Sequence, residues 1–198
     1  MNIVFDLGGV VFNWQPDKLI GSVFDDSATQ RLVKKEIFEH PDWVELDRGT
    51  LDVERAIDRG ALRTKLPRSE ISKLMSEVPR SLTPIHDSMD LLRSMRDTDN
   101  KFFVLSNMQF PSIEHLERES SIWSMFDGIV ISCRIRKVKP DIEIYQYLLN
   151  EHQLVADETV FIDDTDVNLV AAATLGIKTI KFVSASQCRQ DLVELKCI

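Results

Sequence analysis

The chain has 198 residues, of which 43% are hydrophobic, so it can bury one core or one core with a small subdomain. Its formal net charge of −8 argues against nucleic acids and anionic membrane surfaces as partners, because both attract positively charged proteins. Three widely spaced cysteines without a Cys-x-x-Cys pair indicate neither a disulfide framework nor a structural zinc site, which fits a cytoplasmic protein.

The first stretch of the chain predicts a buried strand that ends in a carboxylate. Residues 3–5 are apolar and β-branched or aromatic, as in a central parallel strand, and Asp6 follows at the carboxyl end, where open α/β sheets bind ligands. Gly8 and Gly9 allow close approach of the backbone and unusual dihedral angles. An ionised Asp6 could attack phosphorus, although Asp-x-Gly-Gly is also common turn chemistry, and this stretch alone leaves both interpretations open. No apolar run approaches the roughly 18 residues of a membrane span.

The next segment, from about Trp14 to Leu82, is rich in charged residues and helix formers and has no strong β-branched run. It predicts a helix that begins at Ser27, a second over residues 50–66 with a break at Gly60, and a third that begins at Ser69. The segment therefore reads as a small all-helical insert after the first strand.

Beyond this insert, strands and helices alternate. The predicted helices begin at Thr83-Pro84, Pro111, Pro140 and shortly after Asp164, and the predicted strands cover residues 101–105, 128–132, 159–162 and 177–182. This alternation predicts an α/β fold with a parallel sheet and right-handed crossovers. We expect residues 1–13 and 84–198 to form the α/β core domain and residues 14–83 to form a helical cap domain.

Polar side chains follow four of the predicted strands. They are Asp6, Ser106 with Asn107, Lys139, and Asp163 with Asp164, and the ends of parallel strands meet at one edge of a sheet. Singly, Ser106-Asn107 is typical of a turn and Lys139 of a solvated basic loop. Two adjacent carboxylates repel each other unless a cation compensates them, and oxygen ligands suit magnesium. Together the set supplies what phosphoryl transfer needs: a nucleophile, a divalent cation, hydrogen-bond donors and a positive charge.

The ordered segments FDLGGVV, VLSN, VKPD and VFIDD resemble the four motifs of the haloacid dehalogenase superfamily of aspartate-nucleophile phosphatases, and they span residues 5–164. The helical insert resembles the small α-helical cap of that superfamily, whose core is a Rossmann-like sheet with helices on both faces. Within the superfamily, the sequence is most similar to the bacterial α-D-glucose-1-phosphate phosphatase group.

The resemblance implies a role for each of these residues. Asp6 would be the nucleophile, Ser106 and Asn107 would hold phosphate, and Lys139 would neutralise it. Mg²⁺ would be held by Asp6, the backbone carbonyl of Gly8 and Asp164, with Asp163 mainly ordering metal-bound water. The implied activity is magnesium-dependent hydrolysis of a small phosphorylated metabolite, such as a sugar 1-phosphate, by a monomer or weak homodimer.

One position departs from the superfamily pattern. Most of its phosphatases carry a second aspartate, a general acid and base, two residues after the nucleophile, and here that residue is Gly8. The absence of this acid predicts a preference for leaving groups that depart without protonation, such as an anomeric sugar oxygen. In the cap region, Asn13, Trp14 and Trp43 are candidates for substrate contact, with His40 a weaker one, although aromatic residues there are also typical of packing.

Two other functions remain open on the sequence. A dehalogenase would use Asp6 to attack carbon and would need no metal, which leaves the Asp163-Asp164 pair uncompensated. A non-catalytic phosphate-binding or phosphoacceptor module would need neither a cap nor this many polar groups. A sugar kinase would require two sizeable domains, which do not fit comfortably in 198 residues.

Overall fold

The computed structural model describes residues 1–96 and 98–198 of the chain. Its centre is a five-stranded sheet, entirely parallel, with the strand order β3-β2-β1-β4-β5. The strands are β1 (Asn2–Phe5), β2 (Lys101–Ser106), β3 (Gly128–Ile131), β4 (Thr159–Asp163) and β5 (Lys178–Lys181). The predicted α/β class with a parallel sheet is therefore confirmed.

The first strand lies in the middle of the sheet because its apolar side chains are covered on both faces. Ile3 packs into the cluster on one face and Val4 into the cluster on the other, and neither is exposed. The register pairs Phe5 with Val104 of β2 and with Ile162 of β4. The residue after Phe5 therefore emerges between the ends of two neighbouring strands.

Helices cover both faces of this sheet, and the helices of the insert form a separate layer beside it. Between β1 and β2 the chain forms α1 (Pro16–Val23), α2 (Ser27–Val33), a π-helical segment (Lys34–Phe38), α3 (Pro41–Arg48), α4 (Val53–Thr64), α5 (Arg68–Ser81) and α6 (His86–Ser94). The later helices are α7 (Phe110–Glu119), α8 (Ser132–Ile135), α9 (Ile142–Glu151), α10 (Asp166–Ala173) and α11 (Ala185–Glu194), with 3₁₀ turns at Ile122–Met125 and Ala156–Glu158. Among the residues described, none of the helices combines the length and the apolar composition that crossing a membrane requires.

The first five helices have a hydrophobic cluster of their own, distinct from the two clusters that flank the sheet. Leu19, Ile37, Leu46, Ile57 and Leu74 are buried members of it. The helices between β1 and α6 are therefore packed around a hydrophobic cluster of their own, and the division into a core domain and a cap domain over residues 14–83 stays a prediction.

Gly60 does not interrupt a helix, contrary to the prediction from sequence. Helix α4 runs through it, and a Cβ atom at this position would lie 2.5 Å from the Cδ1 atom of Ile37. The glycine lets the π-helical segment approach α4 closely. Its role is helix packing and not chain reversal.

Thr83-Pro84 does not begin a helix either, since α6 begins at His86. The Asn13 N–H donates a hydrogen bond to the Thr83 carbonyl (2.8 Å), and Pro84 forms an isolated antiparallel bridge with Phe12. The two segments that join the helical insert to the sheet are therefore paired with each other. Proline fits there because its missing N–H is not needed for this pairing.

Candidate active site

Four segments that are distant in sequence meet at the carboxyl edge of the sheet. Asp6 follows β1, Ser106 ends β2, Lys139 lies in the loop after α8, and Asp163 ends β4. The Asp6 N–H donates to the carbonyl of Ile162 (2.9 Å), which extends the pairing of β1 with β4 by one residue. All four polar residues are buried, so their charges interact through protein and not through bulk water.

Lys139 lies between two carboxylates. Its Nζ atom is 2.9 Å from Oδ2 of Asp6 and 2.7 Å from Oδ2 of Asp163, and its side chain is 1% exposed. Burial acts to lower the pKa of Lys139, but the charges of Asp6 and Asp163 hold that pKa above its ordinary value. Lys139 is therefore a fixed positive charge beside the expected nucleophile.

Asp6 itself is held close to its own backbone. Its Oδ1 atom accepts a hydrogen bond from the Leu7 N–H (2.7 Å), while Oδ2 faces Lys139. Burial raises the pKa of Asp6 above the ordinary range, and the opposing charge of Lys139 does not fully offset this. Additional positive charge at this edge would favour the ionised form that a nucleophile needs.

Both carboxylate oxygens of Asp163 accept hydrogen bonds from neighbouring residues. Its Oδ1 atom accepts from the Thr165 N–H (2.7 Å), and the Asn168 side-chain amide donates to both carboxylate oxygens (3.1 Å each). The Tyr145 hydroxyl in turn donates to the Asn168 carbonyl (2.9 Å). Asp163 is thus a supporting group that holds Lys139, and it has little capacity left for direct coordination.

The residues of the expected metal site fit a divalent cation. Carboxylate oxygens of Asp6, Asp163 and Asp164 lie within 4.8 Å of one another, and oxygen donors are those that Mg²⁺ prefers. Burial, followed by the charge of Asp163, raises the pKa of Asp164. Gly9 has a φ of +76°, and a Cβ atom there would lie 2.1 Å from Oδ2 of Asp164, so only glycine leaves room for this carboxylate. Gly8 has no such restriction.

Ser106 and Asn107 take different parts in the site. The Ser106 hydroxyl is buried and has no hydrogen-bond partner among the described residues. The Asn107 side chain instead donates to the Lys139 carbonyl (2.9 Å) and accepts from the Lys139 N–H (2.8 Å). Asn107 therefore fixes the backbone that carries Lys139, a role that the sequence did not indicate.

A cavity of about 360 Å³ opens above these residues and is closed on one side by the helical insert. Trp14 and Trp43 line it with their rings stacked at 5.7 Å between centroids and an interplanar angle of 24°. Val78, Leu82 and Met108 add apolar surface to its wall. The insert thus gives the cavity an aromatic and aliphatic side opposite the charged edge of the sheet.

Two of the candidate residues lie outside this cavity. The Asn13 side-chain amide donates to the carbonyl and hydroxyl of Thr83 (3.2 and 3.0 Å), in the paired connecting segments. The Nδ1 atom of His40 accepts the Asp42 N–H (3.1 Å) and caps α3. Both side chains are therefore used in local structure, and of the candidates from the cap region the two tryptophans reach the cavity.

Asp47, on α3, lines the cavity and was missed in the sequence. Burial raises the pKa of its carboxyl to about 7, and the negative charge of Asp6 acts in the same direction. It is one of 32 acidic residues in the chain, and its local sequence Leu46-Asp47-Arg48 resembles any charged helix end. Only the folded insert brings it to the catalytic edge.

Comparison with known proteins connects this site to characterised relatives. A sesquiterpene phosphatase from Aspergillus oryzae is 28% identical over 174 residues, which cover 88% of this chain and 85% of that protein. A D-ribitol-5-phosphate phosphatase from Bacteroides thetaiotaomicron is 23% identical over an alignment of 207 positions, which covers 96% of each protein. Both names denote phosphatases.

Solved structures show the same fold. A haloacid dehalogenase family enzyme from Bacteroides thetaiotaomicron, in complex with magnesium and inorganic phosphate, superposes with a TM-score of 0.72 at 22% identity over 90% of this chain and 92% of that one. The family model described as haloacid dehalogenase-like hydrolase matches residues 45–182, which include three of the four polar strand ends and most of the helical insert. Because the family model matches more than half of its length, this chain belongs to the haloacid dehalogenase-like hydrolase family.

Proposed function

We propose that the protein is a Mg²⁺-dependent phosphatase that hydrolyses a small phosphorylated metabolite through an aspartyl phosphate on Asp6. The observation that carries this proposal is the buried Lys139 ammonium, 2.9 Å from the Asp6 carboxylate, with the buried Ser106 hydroxyl at the end of the neighbouring strand. Together these groups offer a nucleophile, a positive charge and a donor at one point.

Each group has a separate task in this reaction. A carboxylate oxygen of Asp6 attacks phosphorus and the bond from phosphorus to the alcohol oxygen breaks, after which water attacks the same phosphorus and regenerates Asp6. Lys139 and the Ser106 hydroxyl stabilise the charge on the phosphoryl oxygens. Asp6, the Gly8 carbonyl and Asp164 would hold Mg²⁺, with Asp163 supporting them. The bound cation would supply further positive charge against the phosphoryl group.

The acidic cluster favours phosphatase chemistry over the alternatives. A dehalogenase that works without a metal would leave Asp164 without a cation of its own among the described residues, because Lys139 pairs with Asp6 and Asp163. The phosphatase names of two relatives with high coverage point the same way. A non-catalytic phosphate-binding module does not account for a buried carboxylate beside an ammonium group at the base of an aromatic cavity.

The charges in the cavity favour a substrate with a single phosphate. Among the described residues that line it, Lys139 is the only cation, whereas Asp6, Asp47 and Asp164 are all carboxylates. A second phosphate or a carboxylate on the substrate would meet these acids without a partner. We therefore propose a monophosphate of a neutral alcohol.

A sugar 1-phosphate remains the first candidate for that monophosphate. The stacked Trp14 and Trp43 present an aromatic wall on which the C–H face of a sugar ring can pack. The resemblance to the α-D-glucose-1-phosphate phosphatase group points to the same substrate. The preference for an acidic leaving group, inferred from Gly8, applies only if no other residue protonates the departing oxygen.

A terpenyl monophosphate is the second candidate. The wall formed by Trp14, Trp43, Val78, Leu82 and Met108 is more apolar than recognition of a polyhydroxylated ring requires. The relative named sesquiterpene phosphatase supports this second candidate.

A screen of phosphatase activity tests these proposals. The panel contains glucose 1-phosphate, glucose 6-phosphate, ribitol 5-phosphate, farnesyl monophosphate and p-nitrophenyl phosphate, each with Mg²⁺ and with a chelator. We expect turnover that requires Mg²⁺ and that is abolished by Asp6→Asn, with the fold retained because the amide is isosteric. Turnover that persists in the chelator, or in Asp6→Asn, would contradict the proposed chemistry.

A further inference from the structure

We infer that Asp47, which the helical insert brings to the cavity, is the general acid and base of phosphoryl transfer in this protein. The inference rests on the proposed phosphatase function and assigns the task that Gly8 leaves without a residue. It concerns a side chain of the insert, whereas the nucleophile and the expected metal ligands belong to the sheet.

The direction of the reaction places the required acid on the side of the insert. In-line attack by Asp6 puts the departing oxygen on the face of phosphorus that lies away from Asp6. That face is turned toward the cavity, whose far wall comes from the insert. Asp47 is the one carboxylate that the insert contributes to the described lining.

The Asp47 carboxyl is also free, unlike the other acids of its helix. Asp42 pairs with Arg59 and Arg63, at 3.0 and 2.6 Å. Glu45 pairs with Arg48 at 3.4 Å. Among the described residues, no ion pair or side-chain hydrogen bond engages the carboxyl of Asp47. A carboxyl in a polar cavity without a partner is available to a substrate oxygen or a water molecule.

The backbone of Asp47 is nevertheless fixed against the sheet domain. The Ser132 hydroxyl donates a hydrogen bond to the Asp47 carbonyl. Two residues later, Gly49 has a φ of +72°, and a Cβ atom there would lie 2.5 Å from the carbonyl oxygen of Cys133. The end of α3 is therefore packed on α8 without intervening space, which fixes the backbone that carries the Asp47 carboxyl at the cavity.

The surroundings of Asp47 suit transfer of a proton in both directions near neutral pH. Its pKa is raised to about 7 by burial and by the charge of Asp6, while the charge of Lys139 opposes that rise. Cys133 is the other titratable group that faces it, and burial raises the pKa of this thiol to about 11, so it stays neutral. Both forms of Asp47 are thus accessible, as an acid that becomes a base requires.

Two steps use these forms in turn. As the Asp6 oxygen bonds to phosphorus and the bond to the alcohol oxygen breaks, the protonated Asp47 gives its proton to that oxygen and becomes a carboxylate. As a water oxygen then attacks the aspartyl phosphate and the bond to Asp6 breaks, Asp47 takes one proton from that water. Phosphate leaves, and both aspartates return to their initial states.

Gly8 provides a way to test whether Asp47 performs these two proton transfers. A Cβ atom at Gly8 would make ordinary contacts, at 3.6 Å from the Trp14 Cβ atom, and the backbone there is not left-handed. An aspartate at residue 8 therefore fits the fold. It should take over the proton transfer when Asp47 cannot perform it.

The experiment measures kcat/KM for alkyl phosphate, phenyl phosphate and 2,4-dinitrophenyl phosphate, because general acid catalysis matters most for basic leaving groups. We expect Asp47→Asn to lower the value for alkyl and phenyl phosphate by about 10²- to 10⁴-fold and that for dinitrophenyl phosphate by less than about tenfold. The matched control is Glu45→Gln on the same helix, which should change all three by less than about threefold. Gly8→Asp in the Asp47→Asn background should restore at least part of the loss on the basic leaving groups.

Equal losses on the three substrates, or no loss, would overturn the role of Asp47 while leaving the phosphatase function intact. Absence of Mg²⁺-dependent turnover of dinitrophenyl phosphate by the wild-type protein would instead refute the proposed function. Circular dichroism verifies that each variant is folded. If Asp47→Asn is unfolded, Asp47→Ser takes its place, and the same dependence on the leaving group is required of it.

Discussion

The short separations among Asp6, Asp163 and Asp164 make charge compensation the main physical problem of the site. Their carboxylate oxygens lie within 4.8 Å of one another, and one ammonium group, that of Lys139, offsets part of this negative charge. Bringing like charges together out of water is costly unless a cation or hydrogen-bond donors accompany them. Asp163 has the donors, and Asp6 with Asp164 retain the capacity for a cation.

Gly8 and Gly9, in the loop after β1, are expected to respond differently to replacement by alanine. Gly9→Ala should lower the free energy of unfolding by at least about 1–2 kcal/mol, because the left-handed backbone disfavours a side chain and the new methyl group collides with Asp164. It should also weaken Mg²⁺ binding, since the displaced carboxylate is an expected ligand. Urea denaturation and titration calorimetry with Mg²⁺ measure the two effects.

Gly8→Ala is the matched control, because a Cβ atom at Gly8 meets only the side chain of Trp14 at 3.6 Å or more. We expect its free energy of unfolding to stay within about 0.5 kcal/mol of the wild-type value. Similar losses in both variants would show that the loop tolerates neither side chain, and the specific conflict between residue 9 and Asp164 would be refuted.

For single residues, the sequence predicted the site members that follow apolar strands. It did not predict Asp47, which follows no strand. Asp6, Ser106, Lys139 and Asp163 could be assigned to one edge because parallel strands end there. Asp47 could not, since its position depends on how the insert packs on α8 and no strand leads to it. Asn13 was likewise predicted as a candidate for substrate contact, because no local pattern indicates that its side-chain amide donates to Thr83.

Among the elements, α4 shows how a residue with poor helix propensity can be required by packing. Replacing Gly60 with alanine gains up to about 1 kcal/mol of helix propensity but introduces a methyl group 2.5 Å from the Cδ1 atom of buried Ile37. We expect Gly60→Ala to be neutral or destabilising in the wild-type protein. In an Ile37→Val background, which removes the conflicting methyl group, it should stabilise by up to about 1 kcal/mol.

Urea denaturation of the four proteins in this double-mutant cycle measures the coupling. A stabilisation of equal size in both backgrounds would mean that Ile37 moves aside without cost. In that case the glycine would not be needed for the contact between α4 and the π-helical segment.

The other elements were predicted correctly where the local sequence pattern is clear. They were missed or misplaced where the pattern is weak or where a contact between distant residues decides the structure. All five strands were predicted within two residues at each end. Strands β1 to β4 are largely apolar runs, as is typical of parallel sheets, whereas the edge strand β5 has the sequence KTIK and exposes both of its lysines. Helices α1 and α3 were not predicted, because their short amphipathic patterns merge with the charged sequence around them. The start of α6 was misplaced because the pairing of Pro84 with Phe12 is a contact between distant residues.

At the scale of the whole molecule, we propose that the insert over residues 14–83 selects the substrate. It contributes the two tryptophans, Asp47 and part of the aliphatic wall to the cavity, whereas the sheet contributes the reacting groups. Replacing it with the corresponding insert of the D-ribitol-5-phosphate phosphatase relative should shift the preference toward ribitol 5-phosphate, as measured by the ratio of kcat/KM values.

The junctions for this replacement are the paired segments at Asn13 and Thr83, whose backbone hydrogen bond is 2.8 Å long. A chimera with the original insert reattached through the same junctions controls for damage to the connection. An unchanged ratio of kcat/KM values in an active chimera would show that the insert covers the site without selecting its substrate.

The central position of β1 also has a consequence for the order in which the protein can assemble during synthesis. Asn2 pairs with Lys101 on one side and with Thr159 on the other, so both neighbours of the first strand are made long after it. Until then its apolar residues have no sheet to join, and an exposed apolar strand is prone to non-native association. The helical insert, made in between, contains its own hydrophobic cluster and can gain structure before β2 and β4, the partners of β1, have been synthesised.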